Sequence, residues 1–387
     1  MAQQHQTNTA SRLFPTYKRW DLTFKEAKGS YITDSNGKTY IDLMAGIGVV
    51  NLGHSHPAVT AAVEKQLYSG WHASNFFQYP SQEKTAALLT ENSCGDLVFF
   101  ANSGAEANEA AIKLVRKHTG RKKIISFVQS FHGRTLGSMA ATGQESIQQG
   151  FGPMLEEFVY VPYNDVSALE KAIDEETAAV ILEPLQGEGG VIPGHEEFLQ
   201  KAEQLAEQYG ALLVADEVQT GLGRTGAFFA HEHAGIKPDI ITTAKALGNG
   251  FPTGAMIGKA KLEASFGPGS HGSTFGGNPL AMAAAEAVLT VLLEENLSKK
   301  TAETGKAFLG VLQKSLQPLE QVTEVRGRGL MIGIETKCPA AEKVLELQSK
   351  GVLVIAAGPS VIRLLPPLTT EWDTLMDGAK AIQEVLQ

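Results

Sequence analysis

The sequence predicts an α/β fold, with a large domain built on a mostly parallel sheet flanked by helices and a smaller α+β domain. Short apolar runs alternate with helical stretches between about residues 96 and 258, which is the pattern of repeated βαβ units. A hairpin pattern precedes this region, and mixed helices and strands follow it. At 387 residues the chain is longer than one ordinary hydrophobic core encloses, so two structural lobes are expected.

The first predicted element is a β-hairpin. Residues 29–42 alternate apolar with polar side chains around Asn36-Gly37, a dipeptide that tight hairpin turns favour. The strands of the large sheet are predicted from the apolar runs Leu97–Phe100, Ile124–Val128, Ala179–Leu182, Leu212–Ala215, Ile240–Thr243 and Ala255–Ile257. Ligands of such a sheet bind at the carboxyl ends of its strands, so the functional side chains are expected there.

The C-terminal region begins with a predicted helix over residues 280–293, which are rich in Ala and Leu and follow Asn278-Pro279. Strand-like runs at 329–335 and 361–365 then accompany amphipathic helices, which predicts an α+β lobe. The predicted division is a segment 1–45 that packs with the small domain, a large domain 46–280 and a small domain 281–387.

The composition disfavours several classes of protein. With 33 Lys+Arg against 42 Asp+Glu the formal net charge is −9, which disfavours nucleic acid or an anionic membrane as the main partner. No long apolar run predicts a membrane span, and the polar first dozen residues lack a signal-peptide core, so a cytoplasmic protein is expected. Cys94 and Cys338 are too few for a disulfide framework, and His54-Ser-His56 lacks further ligands, so no metal is expected.

Two predicted strands end in residues of complementary chemistry. Asp216 ends the run that begins at residue 211, and Lys245 ends the run that begins at residue 239. A lysine can form an imine with an aldehyde, and a carboxylate can keep a ring nitrogen protonated. Pyridoxal phosphate, a cofactor that acts as an electron sink, needs both. The pair alone is weak evidence, because an Asp and a Lys at strand ends often form a surface ion pair.

The start of a predicted helix can bind a phosphate group. Residues 99–108 lead from a strand into this helix, and Ser103 with Glu106 has the spacing of a capping box. The Ser103-Gly104-Ala105 start offers free N–H groups, a positive dipole end and no bulky side chain. An ordinary capped helix has the same features, so this motif counts only beside the lysine and the aspartate.

The motif Phe131-His132-Gly133-Arg134 follows another predicted strand and should reach the same edge of the sheet. The Phe131 ring can stack on a pyridine ring, and the Arg134 guanidinium can hold a carboxylate through two hydrogen bonds. Core packing is the alternative for Phe131. Its position between a strand end and a glycine favours the site.

Four further features carry polar side chains towards this edge. Glu188, in a glycine-rich turn, could pair with an arginine and be displaced by a substrate carboxylate, or it could simply solvate the loop. Gln219 follows the aspartate closely, and the loop 271–278 offers hydroxyls to a phosphate. Arg363 lies in an apolar run, where it must snorkel or be paired, for instance with a substrate carboxylate.

Arg326-Gly-Arg328-Gly precedes a strand and is interpreted as structural.

These motifs together resemble the class III (ornithine/4-aminobutyrate type) pyridoxal-phosphate aminotransferases. The resemblance runs from Asp34-Ser-Asn-Gly to Arg363-Leu-Leu-Pro-Pro, which is nearly the whole chain. The blocks that carry it, in order, are Asn102-Ser-Gly-Ala-Glu-Ala, Phe131-His-Gly-Arg, Glu183-Pro-Leu-Gln-Gly-Glu-Gly-Gly, Asp216-Glu-Val-Gln, Lys245 and Ser273-Thr-Phe-Gly-Gly-Asn-Pro. This order of motifs is highly specific.

The resemblance implies a homodimer of fold type I with active sites at the subunit interface. It implies that Lys245 bonds to pyridoxal 5'-phosphate and moves the proton, and that Asp216 holds the pyridine nitrogen. The other cofactor contacts that it implies are Ser103, Gly104, Ala105, Phe131, His132, Glu217, Val218, Gln219 and, across the interface, Thr274.

The resemblance also implies how the substrates bind. Arg134 with Ser273 would hold the carboxylate of the amine substrate, and Arg363 would hold the carboxylate of glutamate or 2-oxoglutarate. Glu188 would cover Arg363 whenever the amine substrate is bound. Because one substrate carries its carboxylate far from the amine and the other beside it, a single reaction centre must recognise two carboxylate positions.

Within the family, residues 44–54 and 271–277 are most similar to the members that act on N-acetylornithine in arginine biosynthesis. Members that act on free ornithine tend to carry a tyrosine near Ile47, and this chain has none there. Alternatives of the same fold are transamination of ornithine, succinylornithine or 4-aminobutyrate, or an aminomutase. A binding protein that uses only the phosphate cradle is also conceivable, but it would not need Lys245 and Asp216.

Overall fold

The computed structural model describes residues 11–387, so most of the predicted polar N-terminal tail lies outside the described residues. The strands are β1 (Phe24–Lys28), β2 (Tyr31–Asp34), β3 (Thr39–Asp42), β4 (Leu97–Ala101), β5 (Lys123–Phe127), β6 (Phe158–Val161), β7 (Thr177–Leu182), β8 (Leu185–Gln186), β9 (Ile192–Pro193), β10 (Leu212–Asp216), β11 (Ile240–Thr243), β12 (Gly254–Gly258), β13 (Val322–Arg328), β14 (Met331–Thr336), β15 (Val352–Leu353), β16 (Ile355–Ala357) and β17 (Val361–Leu364).

The helices are α1 (Ala45–Gly48), α2 (Pro57–Leu67), α3 (Pro80–Glu91), α4 (Gly104–Thr119), α5 (Leu136–Ala141), α6 (Glu145–Gln148), α7 (Val166–Ala172), α8 (Glu196–Tyr209), α9 (Pro279–Glu294), α10 (Leu297–Leu316), α11 (Ala340–Ser349) and α12 (Trp372–Leu386). Short 3₁₀ turns occupy Ala230–Ala234, Lys245–Gly248 and Ala260–Phe266. Among the described residues, no helix combines the length and the hydropathy that a membrane span requires.

The central sheet has seven strands in the order β4-β12-β11-β10-β7-β5-β6. The prediction of a mostly parallel sheet is confirmed, with β12 antiparallel to both of its neighbours. All six predicted strands of this sheet are present, and the edge strand β6 is an addition. The sequence of β6, Phe158-Val-Tyr-Val, is apolar like those of its neighbours, but this strand is only partly buried at the edge of the sheet.

Alternate side chains of the central strands pack on opposite faces of the sheet. Ile181 and Val214 pack in one apolar cluster with residues of α4, whereas Val180 and Leu213 pack in another with residues of α8. A strand with both faces covered needs apolar residues throughout, and every residue of β7 and β10 is buried. The chemistry therefore lies at the ends of these strands.

Two small sheets involve the chain ends. The predicted hairpin is confirmed, with Thr33 opposite Thr39 across β2 and β3. Strand β3 also pairs in parallel with β15, where Ile41 lies opposite Val352. The second small sheet has the order β13-β14-β17-β16, with all of its pairs antiparallel.

Helix α9 leads from the large sheet towards the C-terminal region. Its predicted extent is confirmed, and the Asn278 side chain caps it by accepting a hydrogen bond from the Ala281 N–H at 2.9 Å. One continuous cluster of buried apolar side chains includes Leu289 of α9, Ile332 of β14 and Leu375 of α12. This cluster fixes the C-terminal sheet beside the carboxyl ends of the central strands.

Candidate active site

A cavity of about 460 Å³ lies at the carboxyl ends of β4, β5, β10 and β11. Eleven of the predicted site residues are among the residues that line it: Ser103, Gly104, Ala105, Phe131, His132, Arg134, Glu188, Asp216, Val218, Gln219 and Lys245. Motifs that are far apart in the sequence therefore meet at one edge of the sheet, as expected for a sheet of this kind.

Asp216 ends β10 and is almost completely buried. One carboxylate oxygen, Oδ2, accepts hydrogen bonds from Asn108 Nδ2 and His132 Nδ1, each at 2.7 Å. The other, Oδ1, accepts one from the Val218 N–H at 3.0 Å. Burial lowers the pKa of His132, but the hydrogen bond to Asp216 and its charge leave that pKa raised. The carboxylate is thus held in place by three hydrogen bonds.

Asn108 lies on the buried face of α4 and fixes this network. Its Nδ2 also donates to the His132 carbonyl at 2.7 Å, and its Oδ1 accepts a hydrogen bond from Thr242 Oγ1 at 2.7 Å. Sequence reasoning did not include Asn108 among the site residues. The available signal was a single amide side chain on a helix face that is otherwise apolar.

The N-terminus of α4 forms a cradle at one wall of the cavity. Ser103 caps the helix, since its Oγ accepts a hydrogen bond from the Glu106 N–H at 3.2 Å. A Cβ atom at Gly104 would lie 2.7 Å from Val218 Cγ1, so only glycine fits between the helix and the loop after β10. The first N–H groups of a helix have no partner within it and attract anions.

Lys245 begins a 3₁₀ turn directly after β11 and is only partly exposed. Its backbone φ of +42° is unusual for a residue with a side chain. Burial lowers the pKa of the Lys245 ammonium, the charges of Glu188 and Asp216 oppose that shift, and the charge of Arg363 adds to it. The net lowering increases the neutral, nucleophilic fraction of the amine.

Arg363, on β17, is completely buried behind Glu188 and Gln219. Its Nη1 donates to Glu188 Oε1 at 2.7 Å and to Gln219 Oε1 at 2.9 Å. Burial raises the pKa of Glu188, but the neighbouring charge of Arg363 leaves that pKa lowered, so the two side chains form an ion pair. Arg363 Nε and Nη2 have no hydrogen-bond partner among the described residues, which leaves capacity for another anion.

Phe131 and Arg134 occupy the outer part of the cavity. Phe131 is half-buried, and the exposed Arg134 guanidinium lies 5.7 Å from the centroid of its ring. Ser273 lies nearby, since its Oγ accepts a hydrogen bond from Asn102 Nδ2 at 3.1 Å. Arg134 is therefore a cation accessible to solvent, in contrast to the buried Arg363.

A second buried carboxyl group, Glu183, belongs to the glycine-rich motif 183–190 but was not predicted as a site residue. It accepts hydrogen bonds from the Phe131 N–H at 3.0 Å and the Gly187 N–H at 3.1 Å. Burial raises the pKa of Glu183 to about 7, against the opposing charge of His132. Glu183 thus joins the loop that carries Phe131 to the loop that carries Glu188.

Two predicted cofactor contacts do not line this cavity. Glu217 directly follows the last residue of β10, and its carboxylate lies away from the cavity, where it accepts hydrogen bonds from the backbone N–H and Nδ1 of His231. Thr274 is exposed and also lies outside the lining residues. Thr274 is expected to contact the cofactor in the site of a partner subunit. This contact stays a prediction.

Comparison with known proteins identifies the family. The class-III aminotransferase family matches residues 15–386 of the chain. This protein belongs to the class-III aminotransferases. The acetylornithine aminotransferase of Bacillus subtilis (strain 168) is 55% identical to it over 378 residues, which cover 97% of this chain and 98% of that protein.

Solved structures of class-III aminotransferases have the same fold. The ornithine aminotransferase of Toxoplasma gondii, crystallised with partial occupancy of PLP at its active site, matches with a TM-score of 0.92 and 33% identity over 96% of this chain and 92% of that one. The N-acetylornithine aminotransferase of Stenotrophomonas maltophilia K279a matches with a TM-score of 0.83 and 36% identity, over 95% and 96%. Fold type I is thereby confirmed.

Class-III aminotransferases are PLP-dependent transaminases, and the cavity suits this cofactor. Ser103, Gly104 and Ala105 at the start of α4 line the cavity, where the first N–H groups of the helix can bind a phosphate. Asp216 is a buried carboxylate at the cavity wall, as a protonated ring nitrogen requires. Lys245 provides an amine of lowered pKa within the same cavity.

Proposed function

We propose that this class-III aminotransferase transfers the terminal amino group of N-acetylornithine to 2-oxoglutarate, giving N-acetylglutamate 5-semialdehyde and glutamate, a step of arginine biosynthesis. The observation that carries the proposal is the pair of arginines at the cavity, one of them buried and one exposed. Arg363 lies behind the covering carboxylate of Glu188, and Arg134 lies at the open side. Two cations at different depths suit two substrates whose carboxylates lie at different distances from the reacting nitrogen.

The proposed cofactor contacts follow from the cavity lining. Pyridoxal phosphate, when bound, supplies an electron sink for the charge that develops at the substrate carbon. Asp216 would keep the ring nitrogen protonated, and Ser103-Gly104-Ala105 would hold the phosphate through N–H groups. Phe131 would stack on the ring, and Gln219 would donate to the ring hydroxyl. Lys245 would remove and return the proton at the substrate carbon, for which its lowered pKa is suited.

The proposed substrate contacts use Glu188 as a switch. While the acetylated amine is bound, its carboxylate pairs with Arg134, and Glu188 neutralises the buried Arg363, as in this structure. When 2-oxoglutarate or glutamate binds, its carboxylate replaces Glu188 on Arg363. An uncompensated buried guanidinium would be costly, so one of the two anions has to be present in each half-reaction.

The substrate is tested by single-turnover half-reactions of the loaded enzyme with N-acetylornithine, N-succinylornithine, ornithine and 4-aminobutyrate. We expect kcat/KM for N-acetylornithine to exceed that for free ornithine by at least about tenfold, because no side chain near Ile47 is suited to hold a free α-amino group. Absorbance of the cofactor measures each rate. A faster reaction with free ornithine, or with any of the other amines, would contradict the proposed substrate.

A matched variant separates the two carboxylate sites. Arg134→Gln should lower kcat/KM for N-acetylornithine roughly tenfold, since one charged hydrogen-bond partner is lost, and should leave the glutamate half-reaction almost unchanged. An equal loss in both half-reactions would speak against the role proposed for Arg134.

We further propose a homodimer in which each active site is completed by Thr274 of the partner subunit. Asn75 Nδ2 donates to the carbonyls of Ser273 and Gly276, each at 3.0 Å, so the segment around Thr274 and the segment around Asn75 form one surface. This surface exposes several large aromatic side chains: Trp71 at 62%, Phe76 at 98%, Phe77 at 63% and Phe275 at 59%. Such a concentration of exposed apolar area marks a protein interface.

Subunit mixing tests this arrangement. Thr274→Ala should weaken cofactor affinity roughly tenfold, the effect of losing about one hydrogen bond to a charged phosphate. Mixed dimers of one Thr274→Ala subunit and one Lys245→Ala subunit should recover one site that binds the cofactor tightly. In that site the intact Lys245 of the first subunit and the intact Thr274 of the second meet across the interface. No recovery, with subunit exchange verified, would assign Thr274 to its own chain.

Phe76→Asp should lower the mass measured by light scattering, whereas Leu345→Asp, at an exposed site on α11, should not.

The remaining assignments are proposals of the same kind. We propose that, of the predicted segment 1–45, the described residues 11–45 pack with the small domain, that 46–280 form the large domain and that 281–387 form the small domain. The pairing of β3 with β15 supports the first part of this division. We propose the cytoplasm as the site of action, which is consistent with a biosynthetic role.

A further inference from the structure

The loop that carries Glu188 has a strained backbone. Val191, which ends the loop, has a φ of +55° and is completely buried. A β-branched residue rarely adopts this left-handed conformation, so the surrounding structure must impose it. A Cβ atom at Gly189 would lie 2.7 Å from the Gln129 carbonyl oxygen, so the loop is also tightly enclosed on its other side.

The C-terminal sheet provides a row of three residues under this loop. Arg326 on β13 lies opposite Gly333 on β14, and Gly333 lies opposite Arg363 on β17. A Cβ atom at Gly333 would lie 2.9 Å from Val191 Cβ. The glycine therefore makes room for Val191 between two arginines. Arg363 holds the Glu188 side chain from one end of the row.

Arg326 holds the backbone of the same loop from the other end of the row. Its Nη2 donates to the Gly190 carbonyl at 2.7 Å, and its Nε donates to the Val191 carbonyl at 3.0 Å. Its Nη1 donates to Glu324 Oε2 at 2.7 Å and to Glu335 Oε2, which fix the guanidinium in place. Three nitrogens of a planar fork are thus used at once, which a lysine ammonium cannot reproduce.

We infer that Arg326 is a positioning residue for the switch at Glu188: it fixes the loop backbone, so that Glu188 exchanges between covering and uncovering Arg363 by side-chain rotation alone. The inference rests on the proposed function. With the backbone held, the carboxylate of Glu188 meets Arg363 at 2.7 Å whenever no substrate carboxylate competes. Without Arg326, the strained loop can relax, and Glu188 should cover Arg363 less often.

A weaker cover has opposite effects on the two substrates. A dicarboxylate must displace Glu188 to reach Arg363, so its binding becomes easier when Glu188 is loosely held. The acetylated amine leaves Arg363 to Glu188, so its reaction becomes slower. Unspecific damage to the site would instead weaken the binding of the dicarboxylate and also slow the reaction of the amine.

The test compares Arg326→Lys and Arg326→Gln with the wild-type holoenzyme. Calorimetry measures the affinity for glutarate, a five-carbon dicarboxylate without a keto group, and stopped-flow absorbance measures kcat/KM for N-acetylornithine. We expect glutarate to bind roughly fivefold more tightly and the amine half-reaction to slow roughly fivefold, the lower end of typical coupling between linked sites. Arg326→Lys keeps the positive charge beside Glu324 and Glu335. This variant therefore separates the effect of the hydrogen bonds to the loop backbone from the effect of net charge.

Arg328→Gln is the matched control. Arg328 lies on the same strand as Arg326, but among the described residues its side chain hydrogen-bonds only to the exposed Glu196, at 3.4 Å. It should change neither quantity. Parallel losses for glutarate and amine in both Arg326 variants, no change in either, or the same opposite shifts in Arg328→Gln would overturn the inference. If wild-type enzyme reacts with another ω-amine and not with N-acetylornithine, the proposed substrate fails, and the same comparison with that amine still decides the role of Arg326.

Discussion

Replacing Lys245 by alanine should abolish transamination, with turnover falling by more than about 10⁴-fold, the upper end of what one positioned proton-transfer group contributes. The expectation follows from position and charge together. Lys245 is a lysine in the cavity wall at the end of β11, and burial lowers its pKa. On the proposed assignment, the replacement removes both the amine that would bond to the cofactor aldehyde and the base that would move the proton.

Mass spectrometry after borohydride treatment provides a readout that does not depend on turnover. In the wild-type enzyme the cofactor mass should be found on the peptide that contains Lys245, and in Lys245→Ala on no peptide. Lys259→Ala serves as the control, since Lys259 is a partly exposed lysine that pairs with Asp239 at 3.4 Å and lies outside the cavity lining. A cofactor adduct on the Lys245→Ala protein would refute the assignment.

The strands and the residues at their ends could be predicted because the signal for each is local. A strand that is buried on both faces must be apolar throughout, so the first charged residue after such a run marks the edge of the sheet. Asp216 and Lys245 are both of this kind. The direction of a buried strand has no such local signal. The run 255–257 suits a parallel strand equally well, and only tertiary pairing shows that β12 is antiparallel.

The residues that support the site were harder to find, because their partners are distant in sequence. Asn108 contacts Asp216 across 108 positions, and nothing in α4 alone distinguishes a ligand-facing amide from one that caps a backbone group. Arg326 was interpreted as structural from its motif alone. Its contacts to Gly190 and Val191 span more than 130 positions, so the loop that it holds could not be inferred from neighbouring residues.

Glu217 does not line the cavity, and the sequence contains a local reason for this. It follows Asp216 directly, and adjacent residues of an extended chain point to opposite sides. If Asp216 faces the cavity, Glu217 has to face away from it, and there it pairs with His231. The motif Asp216-Glu-Val-Gln is therefore divided between two roles, with Val218 and Gln219 lining the cavity and Glu217 buried behind it.

Asp216→Asn should lower turnover by about 10²–10³-fold, the usual effect of removing one preorganised electrostatic group, although the substitution barely changes volume. Both carboxylate oxygens of Asp216 accept hydrogen bonds: Oδ2 from Asn108 and His132, and Oδ1 from the Val218 N–H. In Asp216→Asn the amide nitrogen, which is a donor, would replace one of these acceptor oxygens. It would then face a hydrogen-bond donor in either position. The substitution also removes the negative charge that, in the proposed role of Asp216, would favour a protonated ring nitrogen.

The same change should destabilise the fold by about 1–3 kcal/mol, because a buried donor loses its acceptor. Turnover and the denaturant midpoint measure the two effects, and Asn108→Ala separates them. That variant leaves the Asp216 charge and its contacts to His132 and Val218 intact, so it should reduce stability to a similar degree but turnover by only about tenfold, which corresponds to about one hydrogen bond. If Asn108→Ala lowered turnover as much as Asp216→Asn, the rigidity of the network, and not the charge at position 216, would be what the reaction requires.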